Sequence, residues 1–252
     1  MRTLTKFLAV ASVATSLTVF AAPSHAGTPI ASTVDIDQAA DFTWTNNGVT
    51  GAGAGGTLVG SAAGVNQLGD NFFTFLLPSL SGLGFLPADF SLTATSTGGP
   101  ATQNPGSGTW TQTGLNGSFS YLYAGSNVTI GSITLTTGEN LLSGVFTNAW
   151  IQGAGASGST NLSIGNGGSA CFTSALFATA CGPDDGSEFA YNMLNVAPGF
   201  GAAPDQGLTS FNAYGNGTFS IPEPGTWALM IMGFGGAGAV LRQRRRVMAL
   251  AA

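Results

Sequence analysis

Between Gly27 and Leu241 the chain contains no lysine, arginine or histidine. The absence of histidine removes the Ser-His-Asp triad and any metal site held by imidazoles. The absence of lysine and arginine argues against Schiff-base and phosphoryl-transfer chemistry. It also leaves nothing to bind a phosphate backbone, so nucleic acid is excluded as a partner, and anionic lipid headgroups are equally unfavourable. All eleven acidic residues lie inside this span. The six basic residues lie outside it: Arg2 and Lys6 at the start, Arg242, Arg244, Arg245 and Arg246 at the finish. Charge segregated this sharply means that the ends and the middle of the chain serve different purposes.

The start reads as a secretory signal peptide over residues 1–26. Arg2 and Lys6 form a basic flank, and Phe7–Ala22 is an uncharged, largely apolar run. Ser24 and Ala26 then supply small residues at the −3 and −1 positions, which predicts cleavage between Ala26 and Gly27. The only histidine, His25, leaves with the signal. Export through the Sec machinery is the expectation.

Near the other end, Gly233, Gly235 and Gly238 match the G-x-G-x-x-G spacing of a dinucleotide-binding turn. That fingerprint requires a preceding strand and an acidic residue about 20 positions later. Here the glycines sit within an uncharged run, Gly225–Leu241, and no acidic residue follows. The nucleotide reading fails. The run instead predicts a transmembrane helix over residues 225–241, about 25 Å long at about 1.5 Å per residue. Trp227 stands where an interfacial aromatic belongs, and the basic cluster 242–246 supplies a cytoplasmic stop. An uncharged tail, residues 247–252, follows.

Immediately before the helix stands Pro222-Glu223-Pro224. Two prolines in three residues stiffen the backbone and hold it extended, which predicts an accessible stalk. This tripeptide, the helix and the arginine cluster together resemble the PEP-CTERM sorting signal, in the variant with Trp-Ala after the PEP. The resemblance covers residues 222–246. It rests on Pro222, Glu223, Pro224, Trp227, Gly233, Phe234, Gly235, Arg242, Arg244, Arg245 and Arg246; Gln243 interrupts the arginine run. It implies recognition by an exosortase, a membrane-embedded cysteine protease or transpeptidase of Gram-negative bacteria. It further implies processing near the PEP motif and transit from the inner membrane to the cell surface or an extracellular matrix such as a biofilm.

Residues 27–221 remain as the exported domain, rich in glycine and long enough for one core. Helical periodicity is absent, and short period-2 runs recur. The apolar positions are Phe90, Leu92 and Ala94 in one run, and Phe119, Tyr121 and Tyr123 in another. A third, Asn127–Leu135, carries Val128, Ile130, Ile133 and Leu135. Further runs at 161–164, 189–194 and 216–221 extend the pattern. The expected fold class is all-β, a β-sandwich or jelly-roll-like domain, with a parallel β-helix as the alternative. Residues 51–56 and 98–108 read as loops.

Cys171 and Cys181 are the only cysteines, and export predicts a disulfide between them. Two carboxylate groupings are the remaining candidates for chemistry: Asp35, Asp37 and Asp41, and Asp184, Asp185 and Glu188. Each fits a glycosidase pair, a calcium site or a solvated loop. The expectation is no catalytic site and no cofactor, with Asp184, Asp185 and Glu188 as calcium candidates. Two functional classes follow, a structural protein of the envelope or matrix and a carbohydrate-binding module. The second would use Trp44, Trp110 or Trp150 to stack on sugar rings of an extracellular polysaccharide.

Overall fold

A computed structural model describes residues 27–35, 39–62, 71–154, 158–177 and 187–222. The described chain forms thirteen strands: β1 (Gly27–Asp35), β2 (Phe42–Asn46), β3 (Gly56–Ala62), β4 (Asn71–Phe75), β5 (Phe85–Ser96), β6 (Thr102–Gln103), β7 (Thr109–Tyr123), β8 (Val128–Ile130), β9 (Ile133–Leu135), β10 (Asn140–Ala154), β11 (Ser159–Thr173), β12 (Glu188–Ala197) and β13 (Phe211–Pro222). The expected signal helix and transmembrane helix fall outside the described residues. Among the described residues no helix is long and apolar enough to cross a membrane.

The period-2 runs became strands for the reason they were conspicuous. In β5, Phe90, Leu92 and Ala94 are buried while Ser91, Thr93 and Thr95 face out. β7 repeats this with Phe119, Tyr121 and Tyr123. Alternation lets one face of a pleated strand enter a core while the other stays in water. The Asn127–Leu135 run behaves differently. It is a hairpin, β8 paired with β9 (Ile130↔Ile133), set apart from the main sheet. Gly131, at φ 63°, supplies the left-handed turn that a continuous strand would not need. The two expected loops also carry structure. Residues 51–53 form a 3-10 turn before β3 begins at Gly56, and β6 pairs with β7 through Gln103↔Trp110.

Every described pairing is antiparallel, which separates the fold from a parallel β-helix. Strands β7, β10, β11, β12 and β13 follow one another as a meander, not as the Greek keys of a jelly roll. The circuit then closes. β13 pairs with β2, β2 with β3, β3 with β5, and β5 with β7. Eight strands therefore form a ring (β5, β3, β2, β13, β12, β11, β10, β7), a size at which side chains just fill the interior.

They do fill it, with a cluster of aromatic rings among aliphatic side chains. Phe90 stacks on Tyr121 with centroids 4.9 Å apart, and Phe119 meets Phe219 at 5.1 Å. Phe90 on β5 reaches Tyr191 on β12 at 5.8 Å, so opposite walls touch as the two sheets of a sandwich do. Each fully buried ring contributes roughly 1.5–3 kcal/mol by leaving water. A second bridge also spans β13 and β5. β1 pairs with the last residues of β13, β4 with the first residues of β5, and β1 with β4. Two hairpin-like layers, β1–β4 and β2–β3, thus share the gap between the same two long strands.

Candidate functional site

The N-terminal residue of β1 and the C-terminal residue of β13 are paired, Gly27 with Pro222. The next rungs are Thr28↔Ile221 and Pro29↔Ser220. Proline has no amide proton to donate to a ladder, and a strand terminus is where it is tolerated. The glycine is equally constrained: a Cβ at residue 27 would stand 2.8 Å from Ser220 Oγ. The register slips between Pro29 and Ala31, which lets consecutive residues Ile30 and Ala31 both enter the core. The first residue of the sorting tripeptide therefore belongs to the body's last strand. The stalk expected at Pro222 does not separate it from the body, because β13 continues through it.

Residues 220–246 match the family model of the PEP-CTERM protein-sorting motif. The chain carries a PEP-CTERM sorting motif. Such a motif marks an exported protein whose precursor passes the membrane and is sorted by an exosortase. Its first three residues, Ser220, Ile221 and Pro222, are the last three of β13. Glu223, Pro224, Trp227, Gly233, Phe234, Gly235 and the arginines lie outside the described residues, as does Ala26. No curated protein and no solved structure matches the chain.

Beside the Gly27–Pro222 rung a groove of about 460 Å³ crosses the outer faces of β11, β12, β13 and β1. Pro29, Ser163, Glu188, Thr218 and Ser220 are among its lining residues. Glu188, opposite Ser220 at the start of β12, is the one carboxylate in that lining. A glycosidase needs a second carboxyl across the sugar ring, and the described lining supplies one. Asp184 and Asp185 lie outside the described residues. Among the described residues no three histidine, cysteine, aspartate or glutamate side chains gather into a metal group.

Asp35 and Asp41 are not on a solvated loop. Both are buried, Asp35 at the end of β1 and Asp41 immediately before β2; Asp37 lies outside the described residues. The Asp35 amide donates to Asn216 Oδ1 at 2.9 Å. Two residues earlier, Thr33 Oγ1 accepts from the Gly217 amide at 2.7 Å. Tyr121 and Tyr191 complete this polar interior, with hydroxyls 3.2 Å apart. Burial pushes both phenols well above their ordinary range. For Tyr121 the hydrogen bonds with Tyr191 and Thr33 act in the opposite sense, and the Asp41 charge adds to the rise. Asn216 and Thr33 had no signal in the sequence, because their partners are distant along the chain.

Of the three candidate tryptophans, Trp44 is withdrawn from any sugar-binding surface. Trp44 is fully buried, its indole N–H donating to the Leu208 carbonyl at 3.0 Å. Trp150 is half-buried and donates to the Ile164 carbonyl at 3.1 Å, and Trp110 is half-buried as well. Among the described residues the exposed aromatic is Phe85, 70% accessible, which meets Phe72 edge-on at 6.3 Å. Val34 pairs with Phe72 on the same outward face. No cysteine among the described residues is free, and Cys171 on β11 is disulfide-bonded; Cys181 lies outside them.

Proposed function

We propose that this chain is an exported structural protein of the cell envelope or biofilm matrix. In this reading the Sec machinery translocates it, residues 225–241 hold it transiently in the inner membrane, and an exosortase processes it near Pro222-Glu223-Pro224. The observation that supports the reading is that the first three residues of the sorting motif are also the last three of β13, a strand of the closed, aromatic-filled ring. A ring of strands offers few open edges to proteases or to other chains, a property suited to a matrix component. The exported body acts without catalysis and without a cofactor. A disulfide between Cys171 and Cys181 ties β11 to the segment before β12. It should leave the released protein unreactive towards a thiol reagent until it is reduced.

One observation favours a second reading, a carbohydrate-binding module. The exposed Phe85–Phe72 pair offers ring faces in a neutral setting, and glycan rings stack on such surfaces. Binding to an extracellular polysaccharide that is lost in Phe85→Ala would select it over a purely structural role.

Replacing Pro222-Glu223-Pro224 with alanines tests the sorting route. The substituted protein should accumulate as a full-length, membrane-held precursor. Release at unchanged size would overturn the proposal.

A further inference from the structure

Glu188 on β12 opposes Ser220 on β13, and Ser220 opposes Pro29 on β1, so the three form one row across three strands. Opposed residues of an antiparallel pair project to the same face, with Cβ atoms about 5 Å apart. Here that face is the outer one, because the adjacent residues Phe189 and Phe219 are buried. Gly27 stands against the same row. A Cβ built on it would lie 2.8 Å from Ser220 Oγ and 2.9 Å from Ser220 Cβ. The Gly27 nitrogen is bonded to the same Cα, which puts it within about 5 Å of the Ser220 hydroxyl. Glu188 Cβ is therefore within about 8 Å of Gly27, a gap that the rest of a glutamate side chain largely closes. Gly27, Ser220 and Glu188 line one groove, and all three are half-buried.

Composition gives this proximity its meaning. No lysine, arginine or histidine lies between Gly27 and Leu241. In the precursor the Gly27 nitrogen belongs to a neutral peptide bond. Hydrolysis of the Ala26–Gly27 bond by water leaves the carboxylate on Ala26 and the amine on Gly27, and near neutral pH that amine takes up a proton. A chain that starts at Gly27 and ends near the PEP tripeptide then holds a single cation, its own α-ammonium. That cation is created in a groove whose described lining has one carboxylate, Glu188. Opposite charges attract more strongly in a half-buried concave site than on open surface, where water screens them.

We propose that the α-ammonium formed at Gly27 is held in this groove by the Glu188 carboxylate, with Ser220 Oγ accepting a hydrogen bond from it. The inference rests on the reading of residues 1–26 as a cleaved signal. The pair pins β1 across β13 to β12 beside the sorting tripeptide, so removal of the signal itself completes the closure of the ladder there. A partner carboxylate raises the pKa of an amine. The stability it lends is full below the ordinary α-amino range of about 7.7–8.0 and is lost as pH rises through the raised value.

Protein recovered after export tests the pair, and intact mass first establishes its N-terminus. Lys6 is the only lysine, so once the signal is gone an amine-acylating reagent reports on the Gly27 amine alone. At pH 7 the Glu188→Gln protein should acylate at least threefold faster than wild type, with its rate–pH midpoint moved to lower pH. Glu188→Asp keeps the charge and should restore part of the protection. Near pH 7 Glu188→Gln should melt roughly 1–3 °C below wild type, and above pH 9 that difference should vanish. Glu223, next to Pro222, lies outside the described residues, and Glu223→Gln is the control for it. Identical acylation profiles in wild type and Glu188→Gln would overturn the pair, as would an effect confined to Glu223→Gln. A melting difference that persists above pH 9 would assign Glu188 a role without the amine and overturn it equally. An N-terminus other than Gly27 would overturn the signal assignment and the pair together, an outcome that intact mass separates from the others.

Discussion

Gly27 and Pro222 occupy opposite ends of the exported chain and form one rung of a β ladder. One is the residue expected to follow signal cleavage, and the other opens the PEP tripeptide. Both processing regions thus converge on the same end of the barrel. Trimming at either side leaves the strand pair that closes β1 onto β13 intact up to that rung. The body can fold before the sorting protease acts and keep its shape afterwards.

Trypsin distinguishes the precursor from the processed form. Nothing between Gly27 and Leu241 offers a lysine or arginine, so a chain released near the PEP motif contains no tryptic site. Denatured protein recovered from the cell surface or medium should keep its intact mass through prolonged digestion. The membrane-held precursor should lose its tail at Arg242–Arg246. Recovery of the peptide Val247–Ala252 from released material would show that the tail remains attached at the destination.

Alkali should unfold the barrel through its tyrosine pair. In the unfolded chain Tyr121 and Tyr191 ionise near the ordinary phenol value of about 10, while burial raises both in the folded state. A folded-state pKa above the unfolded one contributes stability that is full below about pH 10 and declines as pH rises beyond it. Tyrosinate absorbance from these two residues should therefore appear together with loss of near-ultraviolet circular dichroism. In the double variant Tyr121→Phe, Tyr191→Phe the transition should move to higher pH. An unmoved midpoint would deny the pair this role.

Packing over Gly144 should be intolerant. A Cβ there would stand 2.6 Å from Phe119 Cε1 and 3.0 Å from Phe172 Cδ1. Both rings are held by other aromatics, Phe119 by Phe219 and Phe172 by Phe219, so neither can retreat freely. Gly144→Ala should cost roughly 1–3 kcal/mol, a fall of about 2–10 °C in melting temperature. Adding Phe119→Leu should recover part of that loss relative to the sum of the single changes, because it vacates the space the methyl needs. Strict additivity in thermal melts would refute the steric explanation.

Sequence alone determined what is local or chemical. The sorting motif lies in consecutive residues, and charge segregation is a matter of composition. The alternation in β5 and β7 has a period of two, so its buried face is legible without neighbours. Tertiary structure decided what depends on distant partners. Asn127–Leu135 alternates as a strand would, yet Gly131 bends it into a hairpin. Trp44 was available for a surface until Leu208, far along the chain, offered a carbonyl inside the core. Asp35 and Asp41 fitted a glycosidase pair, a calcium site or a solvated loop, and the insertion of two ladders between β13 and β5 buried both. Closure of the ring through β5–β7 and β2–β13 has no local signature either. Strand pairing is chosen by burial across the whole core and not by the residues of one strand, so only the folded chain could reveal it.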